Sequence, residues 1–230
     1  DAILLDKPPA TLDTVLRHDL AREVVQLLRE TDTTTVLVTH DREEALDLAD
    51  FVVVMDRGRV AQVGTPREIY ESPLTPWVAS FVGDTVEVEG TWEDRALECE
   101  TCGAKEFCEG EPQRFGCSGH VGTVLGSLAA SAQGFTPGNG QSVRVVLRPE
   151  WLVPQTGGIE STVTNVTYAG HDALVELALV PDDVRVRARI AAPFLPAVGA
   201  PFGIAVKHPA LVFPADSKDE SVVSGTARAD

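Results

Sequence analysis

Two short apolar runs decide the fold of this 230-residue chain: AILLD at residues 2–6 and TTVLVTHD at residues 34–41. Aliphatic and β-branched runs of this length are typical of buried strands in a parallel sheet. Between them, residues 14–30 carry apolar side chains at steps of three and four residues, the spacing of an amphipathic helix. The order strand, helix, strand therefore predicts an α/β fold with a parallel sheet.

The same alternation continues beyond residue 41. The sequence predicts a helix at 42–49 that Asp41 can cap, a third buried strand at 51–55, and a tight hairpin with an antiparallel return strand at 56–63. Two short helices with proline in the first turn are predicted at 66–70 and 76–81. The first 83 residues are thus expected to form one α/β domain.

After residue 83 the composition changes. Glycine and proline become frequent, and alternating or β-branched patterns predict short strands at 143–147, 161–166, 174–179 and 184–190. We expect a small all-β barrel domain over residues 84–214. The polar tail at 215–230 is expected to be disordered.

The overall charge and hydropathy limit the classes of function. The formal net charge is −16, which disfavours electrostatic binding to nucleic acid or to an anionic membrane. No stretch approaches the roughly 18 consecutive apolar residues of a membrane span, and the first residues lack the charged region of a signal peptide. These features predict a cytoplasmic protein.

Two side chains at strand ends are candidates for phosphate chemistry. Asp6 ends the first strand, and a carboxylate at the carboxyl end of a parallel strand faces the crevice where phosphates and Mg²⁺ bind. His40 follows the second strand, and an imidazole can donate a hydrogen bond to a γ-phosphate oxygen and hold an attacking water. Each signal alone is weak, because a lone strand-end carboxylate or histidine is often structural.

The order of the motifs is more specific than any one of them. AILLD at 2–6, ATLD at 10–13, VLVTHD at 36–41, LDLAD at 46–50, VVVMDRGRV at 52–60 and GTP at 64–66 follow one another without a gap. This series resembles the Walker B strand, D-loop and switch-histidine strand of the ATPases of ABC transporters of the importer type. The resemblance implies the C-terminal portion of a P-loop (RecA-like) nucleotide-binding domain over residues 1–83.

The resemblance also implies roles for individual residues. Asp6 would bind Mg²⁺ through water, Asp13 in the D-loop would contact the partner subunit, and His40 would sense the γ-phosphate of ATP. The family's catalytic glutamate is replaced by Lys7. A lysine ammonium has no lone pair to accept a proton unless burial lowers its pKa greatly, so hydrolysis should be severely weakened.

Three interpretations of Lys7 remain open. It reflects an error or decay of the gene, a genuinely degenerate site of the kind found in some ABC dimers, or a substitution that traps the ATP-bound state. In addition, the sequence contains no Gly-x-x-x-x-Gly-Lys-Ser/Thr loop, no serine-glycine signature and no glutamine loop. Because the backbone amides and lysine of that loop provide most of the phosphate affinity, this chain alone should bind ATP poorly.

A second resemblance covers residues 143–214. VLRPE at 146–150, GIESTV at 158–163, VTYAGH at 166–171 and PFGIAV at 201–206 resemble the transport-associated OB-like (TOBE) accessory domain of importer ATPases. This resemblance implies a β-module that extends the dimer contact. His171 and His208 are expected to be strand-end or loop residues rather than metal ligands.

The cysteines form one cluster with His120 just beyond it: Cys99, Cys102, Cys108 and Cys117. The Cys-x-x-Cys-Gly start suits zinc, because that turn points two thiolates at one tetrahedral ion, although the second pair is spaced more widely than in a common zinc ribbon. Zinc, another thiophilic metal and unligated thiols remain alternatives. Disulfides are disfavoured in a reducing compartment.

Together, the resemblances imply an ATP-hydrolysing importer subunit, with ATP and Mg²⁺ as cofactors, for ferric iron, polyamine, sugar or a similar solute. It would act as a homodimer, or paired with another ABC ATPase subunit, against integral-membrane permease subunits on the inner face of the cell membrane. Two alternatives are a catalytically degenerate regulatory or structural subunit, and a metal-binding or ligand-sensing β-module attached to a vestigial ATPase half.

Overall fold

The computed structural model describes residues 2–6, 14–31, 33–93 and 119–217, apart from the side chains of residues 14–19 and 193. These residues form two compact units that divide between Pro73 and Leu74. We call them unit 1, which ends at Pro73, and unit 2, which begins at Leu74. Among the helices of these residues, none combines the length and the apolar character that a membrane crossing requires.

Unit 1 alternates strands and helices in the predicted order. Its elements are β1 (Ala2–Asp6), α1 (Thr14–Glu30), β2 (Thr34–Val38), α2 (Arg42–Leu48), β3 (Val52–Asp56), β4 (Arg59–Gly64) and α3 (Pro66–Glu71). β1 and β2 pair in parallel, and β3 and β4 form an antiparallel hairpin. The hairpin turns at Arg57 and Gly58, both with positive φ (45° and 76°), as a tight two-residue turn requires.

The expectation of one parallel sheet that includes the third strand is wrong. In the part of the chain that the structure describes, β3 pairs with β4 and not with β2, so unit 1 contains two separate two-stranded sheets. Parallel strands need cover on their faces, yet Leu4 of β1 and Val36 of β2 are 66% and 52% exposed. Val53 and Met55 of the antiparallel hairpin are 52% and 57% exposed. Two-stranded sheets with such uncovered faces are marginally stable by themselves.

Two helices of unit 1 begin at side-chain caps. Asp41 Oδ1 accepts hydrogen bonds from the backbone N–H groups of Glu43 (2.9 Å) and Glu44 (3.3 Å), which confirms the predicted cap of α2. Thr65 and Glu68 form a reciprocal capping box at α3. The hydrogen bond from the Thr65 backbone N–H, followed by that from its hydroxyl, lowers the pKa of Glu68. The stability that the ionised Glu68 carboxylate adds through this cap is therefore fully present at a pH above the ordinary carboxyl pKa. It is lost as the pH falls through the lowered pKa of Glu68.

Unit 2 begins with one helix, α4 (Pro76–Val82), and continues with strands and two short 3-10 helices at Pro149–Trp151 and Ala192–Phe194. The strands are β5 (Val86–Glu93), β6 (Gly119–Thr123), β7 (Gly126–Ala132), β8 (Ser142–Leu147), β9 (Leu152–Tyr168), β10 (Asp172–Leu179), β11 (Arg185–Ala191), β12 (Pro201–Val206) and β13 (Ala210–Pro214). Five of them close a barrel in the order β13-β7-β6-β5-β8, as the predicted barrel requires. The other four form a sheet in the order β11-β10-β9-β12.

The domain boundary lies earlier in the chain than the sequence indicated, because α4 belongs with the β-rich unit. Ala79 of α4 is fully buried in the same apolar cluster as Val86 and Leu147. The guanidinium of Arg148, also fully buried, donates to the carbonyl oxygens of Ala79 (2.7 Å) and Asp84 (3.2 Å). These contacts fix α4 and the start of β5 to unit 2, so the chain divides before Leu74 rather than after residue 83.

The barrel interior has no room for a side chain at Gly90. A Cβ atom there would lie 2.5 Å from a Val121 methyl and 2.8 Å from a Val145 methyl. We expect Gly90→Ala to lower the free energy of unfolding of unit 2 by about 1–3 kcal/mol, the usual cost of overpacking a core. Thermal or urea denaturation measures it, with Gly138→Ala as the control, since a Cβ at Gly138 meets only the Gln141 side chain at 3.8 Å. Equal losses for the two variants would contradict this account of the barrel.

Candidate functional site

The parallel pair β1–β2 brings two predicted site residues to one edge. Their register places Asp6 opposite Val38, the last residue of β2, and His40 follows two positions later. Because parallel strands share a direction, both side chains belong to the same end of the pair, which we call the carboxyl edge. Asp6 and His40 are both exposed there. The structure thus presents a carboxylate and an imidazole at the position where open α/β sheets bind ligands.

The backbone around His40 is held on both sides. The hydroxyl of Thr39 accepts a hydrogen bond from the backbone N–H of Asp41 at 3.0 Å. Asp41 in turn caps α2, so its own position is fixed by the helix that follows. His40 therefore lies between the end of a strand and the cap of a helix, with its imidazole left exposed to solvent.

Sequence reasoning missed two arginines that connect α1 to α2. Arg22 Nε lies 2.7 Å from Asp47 Oδ2, and a guanidinium nitrogen of Arg29 lies 2.7 Å from Asp50 Oδ1. Arg29 also donates to the carbonyl oxygen of Leu48 at 3.2 Å. A signal was available, because residues seven apart on a helix lie on the same face and Arg22 and Arg29 have that spacing.

Two other predicted site residues, Lys7 and Asp13, lie outside the described residues. Their roles as the replaced catalytic residue and as the D-loop contact stay predictions.

The four cysteines at 99, 102, 108 and 117 also lie outside the described residues, so their role as metal ligands stays a prediction. Zinc binding gains no support from the rest of the chain: within residues 2–6, 14–31, 33–93 and 119–217, no group of three or more His, Cys, Asp or Glu side chains could hold a metal ion. A zinc assay on the purified chain tests the cysteine hypothesis.

The histidines of unit 2 lie in different surroundings. The ring of His208 stacks on Trp151 with centroids 4.0 Å apart, and its Nδ1 lies 3.0 Å from the carbonyl oxygen of Pro209. His171 is exposed, with Nε2 3.4 Å from a carboxylate oxygen of Asp172. His120 on β6 is buried.

No protein-family model matches this chain, but curated proteins do. The chain is 37% identical over 223 residues to the Fe(3+) ions import ATP-binding protein FbpC 1 of Rhodococcus jostii, an alignment that covers 94% of this chain and 56% of that protein. It is 37% identical over 180 residues to a sulfate/thiosulfate import ATP-binding protein of Chromobacterium violaceum, covering 78% of this chain and 43% of that one. The chain therefore spans about half the length of the curated relatives it matches.

Among solved structures, a cytoplasmic molybdate-binding protein, ModG, matches 55% of this chain and 94% of its own, with a TM-score of 0.38 and 13% sequence identity. A similarity this weak does not indicate the fold or the function of this chain.

Proposed function

We propose, from the homology of this chain to the ATP-binding proteins of Fe(3+) and sulfate/thiosulfate import systems, that it forms part of the ATP-hydrolysing subunit of an ABC importer. Unit 1 would be the C-terminal portion of the P-loop ATPase domain, and unit 2 the TOBE-like accessory domain. Apart from the homology, the observation that carries the proposal is the register of β1 and β2, which brings Asp6 and His40 to one carboxyl edge.

The residues at this edge fit the Mg²⁺ and γ-phosphate end of a nucleotide. An exposed carboxylate matches the preference of Mg²⁺ for oxygen ligands and retained waters, and an exposed imidazole can donate to a phosphate oxygen. When bound, ATP with Mg²⁺ supplies the phosphoryl group and neutralises its charge during transfer. Asp6 would hold the metal's waters through its carboxylate. His40 would donate from a ring N–H to the γ-phosphate and orient the attacking water.

The sequence contains no Gly-Lys-Ser/Thr loop, so under this proposal the backbone amides that bind the phosphates would be supplied by the part of the relatives that this chain does not match. The surface of unit 1 supports the presence of such a covering segment. Leu27 on α1 and Val63 on β4 are 60% and 57% exposed, in addition to the exposed strand residues already described. We propose that the part of the relatives that this chain does not match covers these faces and supplies the loop.

The partners and location follow from the same proposal. Two such subunits, or one paired with another ABC ATPase subunit, would enclose ATP between them and close against integral-membrane permease subunits. The protein would then act at the inner face of the membrane as a peripheral subunit. The transported solute is that of the permease, and ferric iron and sulfate are the solutes that the relatives' names give for those proteins.

The test joins this chain to the missing ATPase portion, in one polypeptide or by co-expression, and measures binding of a fluorescent ATP analogue. We expect the chain alone to bind poorly and the assembled protein to bind in a Mg²⁺-dependent manner. Asp6→Asn should raise the Mg²⁺ concentration needed by about tenfold, a loss of roughly 1.4 kcal/mol in metal binding. Asp182→Asn, at an exposed carboxylate of unit 2, is the control. An assembled, folded protein that binds no ATP would overturn the proposal.

A second candidate function follows from Lys7. A degenerate subunit would bind ATP in the assembled protein but hydrolyse it very slowly, and it would pair with an intact ATPase. Comparing ATP binding with phosphate release in the same preparation separates this candidate from an active subunit.

A further inference from the structure

The arginine contacts between α1 and α2 form a connected set, which we call the arginine brace. It consists of Arg22 and Arg29 on α1, Asp47 on α2, the carbonyl oxygen of Leu48 and the carboxylate of Asp50. Both ion pairs have a nitrogen-to-oxygen distance of 2.7 Å. The brace thus holds α2 both along its side and at its final residue.

The contact of Arg29 with Leu48 closes the C-terminal end of α2. The last four carbonyl groups of a helix have no partner within the helix, and the partial negative charge there attracts a cation. Arg29 supplies both a donor and a positive charge to Leu48, the last residue of α2. Asp41 caps the opposite end, immediately after His40. One end of α2 therefore carries the candidate catalytic histidine, and the other end is fixed to α1.

A helix as short as α2 does not hold its position by itself. It has seven residues, and isolated helices below about 12–15 residues are marginal in water. Its orientation, and with it the position of His40, depends on what it packs against. α1 is the long neighbour, with 17 residues, and it begins directly after the predicted D-loop residue Asp13 in the sequence.

We propose that Arg22 and Arg29 are positioning residues for His40. By fixing α2 to α1, they hold the imidazole in one place at the carboxyl edge, and they do not themselves touch ATP. This inference rests on the proposed function, since His40 acts on a γ-phosphate only if that function is correct. The inference adds to the proposed function the prediction that contacts at the end of α2 farthest from the nucleotide affect the rate of ATP hydrolysis.

The first measurement uses this chain alone and does not depend on ATP. We expect Arg29→Gln to broaden or split the imidazole NMR signal of His40 and to speed backbone hydrogen exchange in residues 42–48. Arg67→Gln is the matched control: Arg67 Nε also forms a 2.7 Å ion pair, with Glu71, but both residues lie on α3. Unchanged His40 and α2 signals in Arg29→Gln would overturn the proposal.

The second measurement uses the assembled ATPase, with Lys7→Glu present in every variant so that turnover can be measured. Arg29→Gln should lower kcat by about three- to tenfold with little change in KM, a modest loss because exposed ion pairs are individually weak. Arg22→Asp and Asp47→Arg should each lower kcat, and the combined charge swap should restore most of it. A lower kcat without rescue by the swap, or a change in KM alone, contradicts positioning. Absence of turnover in all variants refutes the proposed function. In that case the NMR signals of His40 alone show whether the arginine brace fixes the position of the imidazole.

Discussion

Replacing Lys7 with glutamate is expected to raise the ATP turnover of the assembled ATPase by about 10²-fold or more, because a positioned general base contributes roughly 10²–10⁴ in rate. A charged lysine has no lone pair with which to polarise the attacking water, whereas a carboxylate has several. The measurement is phosphate release at saturating ATP and Mg²⁺. It requires the polypeptide that supplies the phosphate-binding loop, since this chain contains none.

Lys7→Gln separates the supply of a base from the removal of a positive charge. Glutamine is neutral and accepts no proton, so it should leave turnover within a small factor of the Lys7 protein. If glutamate and glutamine raise turnover equally, the ammonium was inhibitory and residue 7 does not supply the base. If neither changes turnover, our interpretation of position 7 is wrong.

Arg148→Met is expected to lower the free energy of unfolding of unit 2 by about 2–5 kcal/mol, since each buried group that loses its hydrogen bond costs roughly 1–3 kcal/mol. Arg148 is fully buried and donates to two carbonyl oxygens, those of Ala79 and Asp84. Methionine fills similar space but has no donor, so both carbonyls lose this partner. Urea denaturation followed by tryptophan fluorescence measures the loss, because Trp92 and Trp151 are buried in this unit.

Arg185→Met is the matched control for this chemical change. Arg185 is an exposed arginine on β11, and exposed substitutions of this kind usually change stability by no more than about 0.5 kcal/mol. Arg148→Lys should fall between the two, because lysine keeps a charged nitrogen donor but has a shorter side chain, which does not place that nitrogen where Arg148 Nη1 contacts both carbonyl oxygens. A loss for Arg148→Met no larger than that for Arg185→Met would show that the buried contacts do not hold α4 in place.

Local patterns in the sequence predicted the elements whose determinants are local. The apolar run at 2–6, the helix at 14–30 and the Asp41 cap all depend on neighbouring residues, and the structure contains each of them. The position of Asp6 and His40 at one edge also followed from strand ends in a parallel pair. A strand that ends in a carboxylate can be predicted from neighbouring residues, without knowledge of its distant contacts.

Features that depend on distant residues were not predicted. β9 runs from Leu152 to Tyr168, whereas the pattern indicated only 161–166, because Pro154 and the glycines at 157 and 158 are typical of a turn. Within the strand these glycines accommodate an irregularity where the register with β12 shifts, and a Cβ at Gly158 would meet the carbonyl oxygen of Ile204. The spacing of Arg22 and Arg29 placed both arginines on one face of α1, but it did not indicate their partners, which lie 19 to 25 residues away in the sequence. The Arg148 contacts, 69 and 64 residues apart, have no local signature.

The exposed arginines of β11 affect how readily unit 2 associates with other protein molecules. β11 lies at the end of its sheet in hydrogen-bonding order and carries exposed Arg185, Arg187 and Arg189. Arg189 is paired with Asp84 and Asp172, and the exposed charged side chains of Arg185 and Arg187 discourage a second molecule from adding a strand at this edge. Unit 1 instead exposes valine and methionine along its strands, which favours intermolecular β-pairing. While its faces are uncovered, unit 1 is therefore the part of the chain more prone to aggregation, whereas this edge of unit 2 is protected by its charged side chains.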